Sequence, residues 1–233
     1  MASRAISILC FVALLGCSST AQKATETPSV DYFENPPTTA QFTFKKDALL
    51  KVGPDPAKGF NYAYYLLLPS GVESEKHPVL LIEPNNTGRA SDDMSLHDQA
   101  AKKVTERGYY YRISKRLKLP MLVPVFPRPK SEWQNYIHYL NRRTIQIKEG
   151  PLKRVDLQLI AMVEDARARM AATGINIAPK FFMNGFSSSA SFSLRFTALH
   201  PRLVQAVSAG GINALPILPV KKWQNQKLPY PIR

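Results

Sequence analysis

"KFFMNGFSSSASFSLRFTALHPRLVQAVSAGG", residues 180–211, decides the fold. A short apolar run ends at Gly185, a serine cluster follows, and an amphipathic stretch with Phe192, Phe196 and Leu199 leads to His200-Pro201. A residue before proline is disfavoured in the α region, so the helix predicted here must end near His200. "LVQAVSAGG" then reads as a further strand. Strand, tight turn, helix and strand in so few residues make a βαβ unit, which requires parallel strands.

The alternation continues upstream. "FNYAYYLLLPSG" (60–71) is an aromatic and aliphatic strand stopped by Pro-Ser-Gly, and "PVLLIEP" (78–84) is a continuous apolar run suited to a strand buried on both faces. A polar loop, "NNTGRASDD", precedes a helical segment expected from about Ser95 to Lys118, and "MLVPVFP" (121–127) is another strand. Residues 128–150 are irregular, with Trp133, Tyr136, His138, Tyr139, Arg142 and Arg143. From about Arg154 to Ala172, Leu159, Met162, Val163, Ala166 and Met170 fall on one helix face. Asp165 and Arg169 form an i, i+4 pair expected on the exposed side, and Gly174 is the expected stop. The fold class that follows is α/β: a three-layer α/β/α sandwich around a mostly parallel sheet.

The turn at 185–189 carries the chemistry. A serine hydroxyl becomes a nucleophile when a sharp strand–turn–helix presents it above the sheet beside a base and an oxyanion hole. Small residues are needed two before and two after it, because strand and helix backbones approach closely there. "GFSSS" supplies Gly185 and Ser189 around Ser187, a G-x-S-x-S pattern rather than G-x-S-x-G. Serines in a turn also simply cap helices, but a buried strand before and an amphipathic helix after favour Ser187 as nucleophile. Ser189 is the alternative, flanked by small Ser187 and Ser191. Oxyanion donors are expected from the N–H of Ser188, the residue after the nucleophile, and from Asn86 or Thr87 in "NNTG" (85–88). That loop reads equally as Asx turns capping the next helix.

"YYLLLPSG", "LLIEPNNTG", "MLVPVFPRP", "RVDLQLIAMVEDAR" and "FFMNGFSSSASFSLRFTALHP" together resemble the α/β-hydrolase superfamily, in its branch of secreted esterases and polyester-depolymerase-like proteins. The turn and its flanks are the specific part. Where many relatives carry His-Gly after the oxyanion strand, this chain has Glu83-Pro84-Asn85-Asn86. The resemblance implies hydrolysis of carboxylic esters through an acyl-serine, and a triad ordered Ser, acid, His along the chain. No Asp or Glu follows Ser187, and the only later histidine, His200, closes a helix about 18 Å long. His200 therefore reads as a C-terminal cation on its helix. His77 lies at the wrong end of a strand, His97 opens the helix after the oxyanion loop, and His138 stands in the aromatic-basic segment. The chain is accordingly expected to be an incomplete version of a longer hydrolase, with a pseudoenzyme as the second reading.

The first residues, "MASRAISILCFVALLGC", place a cation before a short uncharged run, too short to span a bilayer. "LLGC" resembles the lipobox of bacterial lipoproteins, which implies that residues 1–16 are a signal peptide and Cys17 the lipidated residue; an ordinary secretory signal cleaved after a small residue is the alternative. Residues 17–41, rich in Ser, Thr, Pro and Ala, read as a flexible tether, and 42–233 as a partial α/β-hydrolase-like domain. The expected location is the bacterial cell envelope, with attachment to a membrane through the N-terminal lipid. Cys10 and Cys17 are the only cysteines, so a mature chain holds no disulfide and no cysteine metal site. The reading requires no cofactor and no metal.

The formal charge of +14 on 233 residues suits an anionic lipid or polysaccharide neighbour. The cations are dispersed and no nucleic-acid motif appears, so no nucleic-acid partner is expected. Nothing in the sequence sets an oligomeric state. The competing function is a non-catalytic envelope lipoprotein whose segment Trp133–Arg143 binds an anionic glycan or polyester. A third is a structural envelope lipoprotein attached through its basic surface.

Overall fold

The computed structural model describes residues 46–212, 222–223 and 225–227. Its sheet has six strands: β1 (Ala48–Val52), β2 (Tyr64–Leu68), β3 (Leu81–Ile82), β4 (Met121–Pro124), β5 (Phe181–Phe186) and β6 (Val204–Gly210), in the order β1-β2-β4-β3-β5-β6. β2 pairs antiparallel with both β1 and β4, whereas β4-β3, β3-β5 and β5-β6 are parallel. Only β2 therefore runs against the other five. The helices are α1 (Met94–Glu106), α2 (Tyr109–Leu117), α3 (Arg142–Gln146), α4 (Val155–Ala172) and α5 (Ser188–Leu199). A two-residue pair, β7 (Lys222–Trp223) and β8 (Gln226–Lys227), forms a separate antiparallel ladder.

Side-chain alternation explains why the strands are apolar throughout. Tyr64, Leu66, Leu68, Leu122, Phe181 and Met183 face one core, closed by Leu159, Met162, Val163 and Met170 of α4 and by Phe192 and Phe196 of α5. Tyr65, Leu67, Met121 and Val123 face a second core with Ala101 of α1, against which Tyr110 and Tyr111 of α2 pack. Helices thus cover both faces, and the molecule is the expected three-layer sandwich.

Two expectations need correction, and one strand lay outside them. The helix expected across Ser95–Lys118 is two helices, because Gly108 adopts φ +101 and ψ −165 between them, a conformation open to glycine. β1 was not read from the sequence; "ALLKV" is short and its alternation is visible only once β2 is beside it. The Asp165–Arg169 pair forms at 2.7 Å, but Asp165 is buried rather than on an exposed side. Its second oxygen partner is the hydroxyl of buried Tyr64 at 2.6 Å, and Lys58 reaches its other oxygen. A carboxylate drawn this far into the layer is tolerable because three donors meet it.

Candidate active site

The turn after β5 is built by backbone geometry before any side chain matters. Ser187 has φ 60 and ψ −121, a region that residues with a Cβ seldom occupy. Its N–H bonds the Gly210 carbonyl of β6 at 2.9 Å, so the ladder continues into the turn. The next residue, Ser188, begins α5. A Cβ on Gly185 would lie 2.4 Å from the Ser189 carbonyl carbon and oxygen and 2.6 Å from the Ala190 nitrogen. Those are backbone atoms with nowhere to go, which is why glycine stands two residues before Ser187.

The serines of the cluster are not equivalent. Ser187 is exposed, at the point where the chain reverses. Ser189 is buried, and its Oγ lies 3.0 Å from both the Phe186 N–H and the Phe186 carbonyl, bracing the turn from within. Ser188 is the first residue of α5, so its N–H belongs to the first turn, where amides have no helical acceptor.

The loop after β3 is held residue by residue against this turn. Asn85 is buried; its amide donates to the Phe126 carbonyl at 2.8 Å and accepts from the Phe126 N–H at 3.1 Å, as an added strand residue would. Asn86 donates from Nδ2 to the carbonyl of Phe186, the residue before Ser187, at 3.3 Å. Gly88, at φ +84, offers its carbonyl to Arg128 Nη1 at 2.8 Å.

Thr87 is gripped by two histidines. His138 Nε2 lies 2.7 Å from the Phe126 carbonyl, which can only accept, so the ring proton is on Nε2 and Nδ1 is a bare acceptor. That Nδ1 faces the Thr87 N–H at 3.5 Å. His97 repeats the logic: Nε2 is 2.9 Å from the Ser91 carbonyl, leaving Nδ1 to accept the Thr87 hydroxyl proton at 2.7 Å. The Arg128 N–H at 3.3 Å from the same Nε2 is then a weaker, competing approach. Both rings are buried, and burial drives the His138 pKa down to about 3, which keeps it a neutral acceptor. The Thr87 N–H is thus turned toward His138, whereas the Asn86 N–H has no partner among the described residues.

None of the four histidines bonds Ser187. His77 is exposed beside Pro78, before β3. His97 and His138 hold Thr87, roles that sequence reasoning missed because nothing in a linear pattern tells a loop clamp from a groove wall. His200 closes α5 and bonds Asp156 at 2.9 Å. Burial works to raise the Asp156 pKa, but two bonds from Arg154 and one from His200 outweigh it and hold the carboxyl at about 2. This His–Asp pair ties the end of α5 to the start of α4.

Two further features were not foreseen. Glu83, just past β3, is buried and accepts from Asn184 of β5 at 2.6 Å; desolvation pushes its carboxyl pKa well above the usual range. In the aromatic-basic segment, Tyr136 and Tyr139 stack at 5.6 Å, with Arg128 over the first ring at 4.2 Å and Arg195 over the second at 3.8 Å. This ladder joins the loop carrying Gly88 to α5 through protein-internal stacking, and leaves Trp133 exposed at its margin. Among the described residues no cluster of His, Cys, Asp and Glu is arranged to hold a metal. Cys17 lies outside the described residues, and no described helix is long and apolar enough to cross a membrane.

Six strands with only the second reversed, helices on both faces and a strained serine between strand and helix together define an architecture of the α/β-hydrolase type. No protein-family profile and no curated protein matches the chain in sequence. Solved structures similar to it include a thermostable esterase, with 19% identity over 71% of this chain and 40% of that one, at a TM-score of 0.43. An acetyl xylan esterase from Aspergillus awamori shares 15% identity over 70% of this chain and 52% of its own, at a TM-score of 0.48. A poly(3-hydroxybutyrate) depolymerase from Bordetella parapertussis shares 17% over 72% and 52%, at 0.42. The chain spans about half the length of these structures, between 40% and 52%.

Proposed function

We propose that this chain carries the nucleophile and the oxyanion loop of a serine hydrolase acting on carboxylic esters. Ser187 Oγ attacks the ester carbonyl carbon as its proton passes through water to the leaving oxygen, the bond to the alcohol breaks, and a second water cleaves the acyl-serine to release the acid and restore the hydroxyl. The N–H groups of Ser188 and Asn86 are the donors for the tetrahedral oxyanion. The observation that carries this reading is the turn itself. A non-glycine residue at φ 60, exposed between a buried strand and a helix that crowd Gly185, is the geometry a serine nucleophile needs. Without an imidazole on Ser187, the oxyanion donors and binding remain, and in serine hydrolases these leave about 10³–10⁴-fold acceleration over water.

The test is reaction of the full chain with a fluorophosphonate probe. Slow labelling at Ser187 is expected, lost in Ser187→Ala and retained in Ser189→Ala, with negligible ester turnover. Label that persists in Ser187→Ala, or no label at saturating probe, refutes the assignment.

The same proposal places the protein at the bacterial envelope, lipidated at Cys17. A palmitate analogue should label the wild type and not Cys17→Ala; label surviving that substitution removes the anchor without touching the argument for Ser187.

A further inference from the structure

Helix α2 presents a surface that neither the turn nor its loop explains. Its inward side is fixed: Tyr110 and Tyr111 pack against the second core, and buried Ser114 donates to the Leu119 carbonyl at 2.7 Å. The outward side is neither polar nor neutral. Tyr109 and Leu117 are 75% and 58% exposed, two of the largest apolar exposures among the described residues. At about 100° per residue, exposed Tyr109 and Leu117 follow one line along the helix with half-buried Ile113 between them, at spacing i, i+4, i+8. Arg112 and Arg116, both exposed, follow the neighbouring line. Lys103 near the end of α1 and Arg107 in the link between the two helices are exposed as well.

Charge pairing sharpens the picture. Lys115 is neutralised by Asp47 at 2.9 Å and Lys102 by Glu106 at 3.4 Å. Lys103, Arg107, Arg112 and Arg116 make no salt bridge among the described residues. Two unneutralised arginines on α2, with Lys103 and Arg107 on the chain leading into it, therefore accompany exposed Tyr109 and Leu117 on a single short helix.

A polyanion alone would satisfy the cations but gives Leu117 and the Tyr109 ring nothing apolar to enter. An anionic phospholipid surface meets both requirements, with phosphates at headgroup level and apolar matter just beneath. Arg stems and a tyrosine ring suit that boundary, each having an apolar body and a polar end. We propose that α2 is an interfacial helix that lies on an anionic membrane, with Tyr109, Ile113 and Leu117 at the acyl boundary and Arg112 and Arg116 on lipid phosphates. This rests on α2 alone and requires neither a reactive Ser187 nor a lipid on Cys17.

The test uses the full chain with mixed phosphatidylglycerol–phosphatidylcholine vesicles and with phosphatidylcholine vesicles alone. The apolar N-terminal segment is common to every variant, so binding to the neutral vesicles supplies its baseline. Each arginine near an anionic surface contributes about a fivefold factor, so Arg112→Gln/Arg116→Gln should lower the partition coefficient by about 25-fold. A solvatochromic dye on Leu117→Cys, in a chain with Cys10→Ser and Cys17→Ser, should shift to the blue on anionic vesicles. Unchanged far-ultraviolet circular dichroism keeps loss of binding distinct from loss of fold. The proposal is overturned if the double variant partitions like the wild type, or if the dye stays in a water-like environment. It is equally overturned if duplex DNA or heparin shifts the dye as vesicles do, since the partner is then a soluble polyanion.

Discussion

Replacing Ser187 by glycine should make the protein more stable, although it removes a side chain. The wild-type residue sits at φ 60 and ψ −121, held there by the Ser187 N–H to Gly210 at 2.9 Å, the Ser191 N–H to the Ser187 carbonyl at 3.3 Å and the Asn86 amide on Phe186 at 3.3 Å. Such a conformation costs a residue with a Cβ about 1–3 kcal/mol. Glycine removes that cost but gains unfolded-state freedom, about 0.4–1 kcal/mol against it. The net gain is about 1 kcal/mol, or about 2–4 °C in midpoint for a domain of this size. Ser187→Ala is the control, because it loses the same exposed hydroxyl and keeps the Cβ; it should match the wild type. Urea unfolding of all three at constant m separates them. A glycine variant no more stable than the alanine variant means the turn is unstrained, and the geometric case for the nucleophile fails with it.

Two further substitutions examine the ground beneath the turn. Glu83 is buried with its pKa raised, so the folded chain keeps a proton that the unfolded chain releases above about pH 4.3. Its stabilising contribution is full below that pH and is lost as pH rises toward the folded value; Glu83→Gln should erase this loss, so the variant gains on the wild type between pH 5 and 8. A difference in urea midpoint that stays constant over that range would sink the claim. Thr87→Val removes the hydroxyl that His97 accepts, which should cost about 1–2 kcal/mol and slow probe labelling of Ser187, while Thr87→Ser restores both. Lost stability with an unchanged labelling rate would show that the loop and the serine are independent.

How much of this was legible in the chain depends on the range of each interaction. The βαβ unit at 180–211 is local: an apolar run, a glycine, a serine cluster and the His200-Pro201 stop lie within one stretch, and β5, α5 and β6 follow it closely. The buried face of α4 was equally legible, since Leu159, Met162, Val163, Ala166 and Met170 are all buried. What escaped depends on partners far away. Asp165 looks like half of a surface pair until Tyr64, 101 positions earlier, brings its hydroxyl. Gly108 looks like a tolerable helix glycine until its φ is known. The loop at 85–88 could be placed after β3, but which of its polar groups are taken up is decided by His97, His138 and Phe186, none of them adjacent in sequence.

The histidines show why position and activation are separate problems here. A serine hydroxyl needs a base within hydrogen-bond reach, and each imidazole of this chain is engaged elsewhere or distant. His138 and His97 direct their only bare nitrogens at the two protons of Thr87, so neither can accept a proton from Ser187 without releasing the loop. His200 is bonded to a carboxyl, as a triad histidine would be, yet the pair lies at the far end of α5 and serves the packing of α5 on α4. The turn, by contrast, owes nothing to a base: Gly185, the β6 ladder and the Asn86 amide impose it. Ser187 is therefore presented without any base, and its reactivity in this chain should track the proposed oxyanion donors rather than the titration of any of the four histidines. A labelling rate that follows a single ionisation between pH 5 and 8, and loses it in His97→Gln or His138→Gln, would contradict this and assign a base to the clamp.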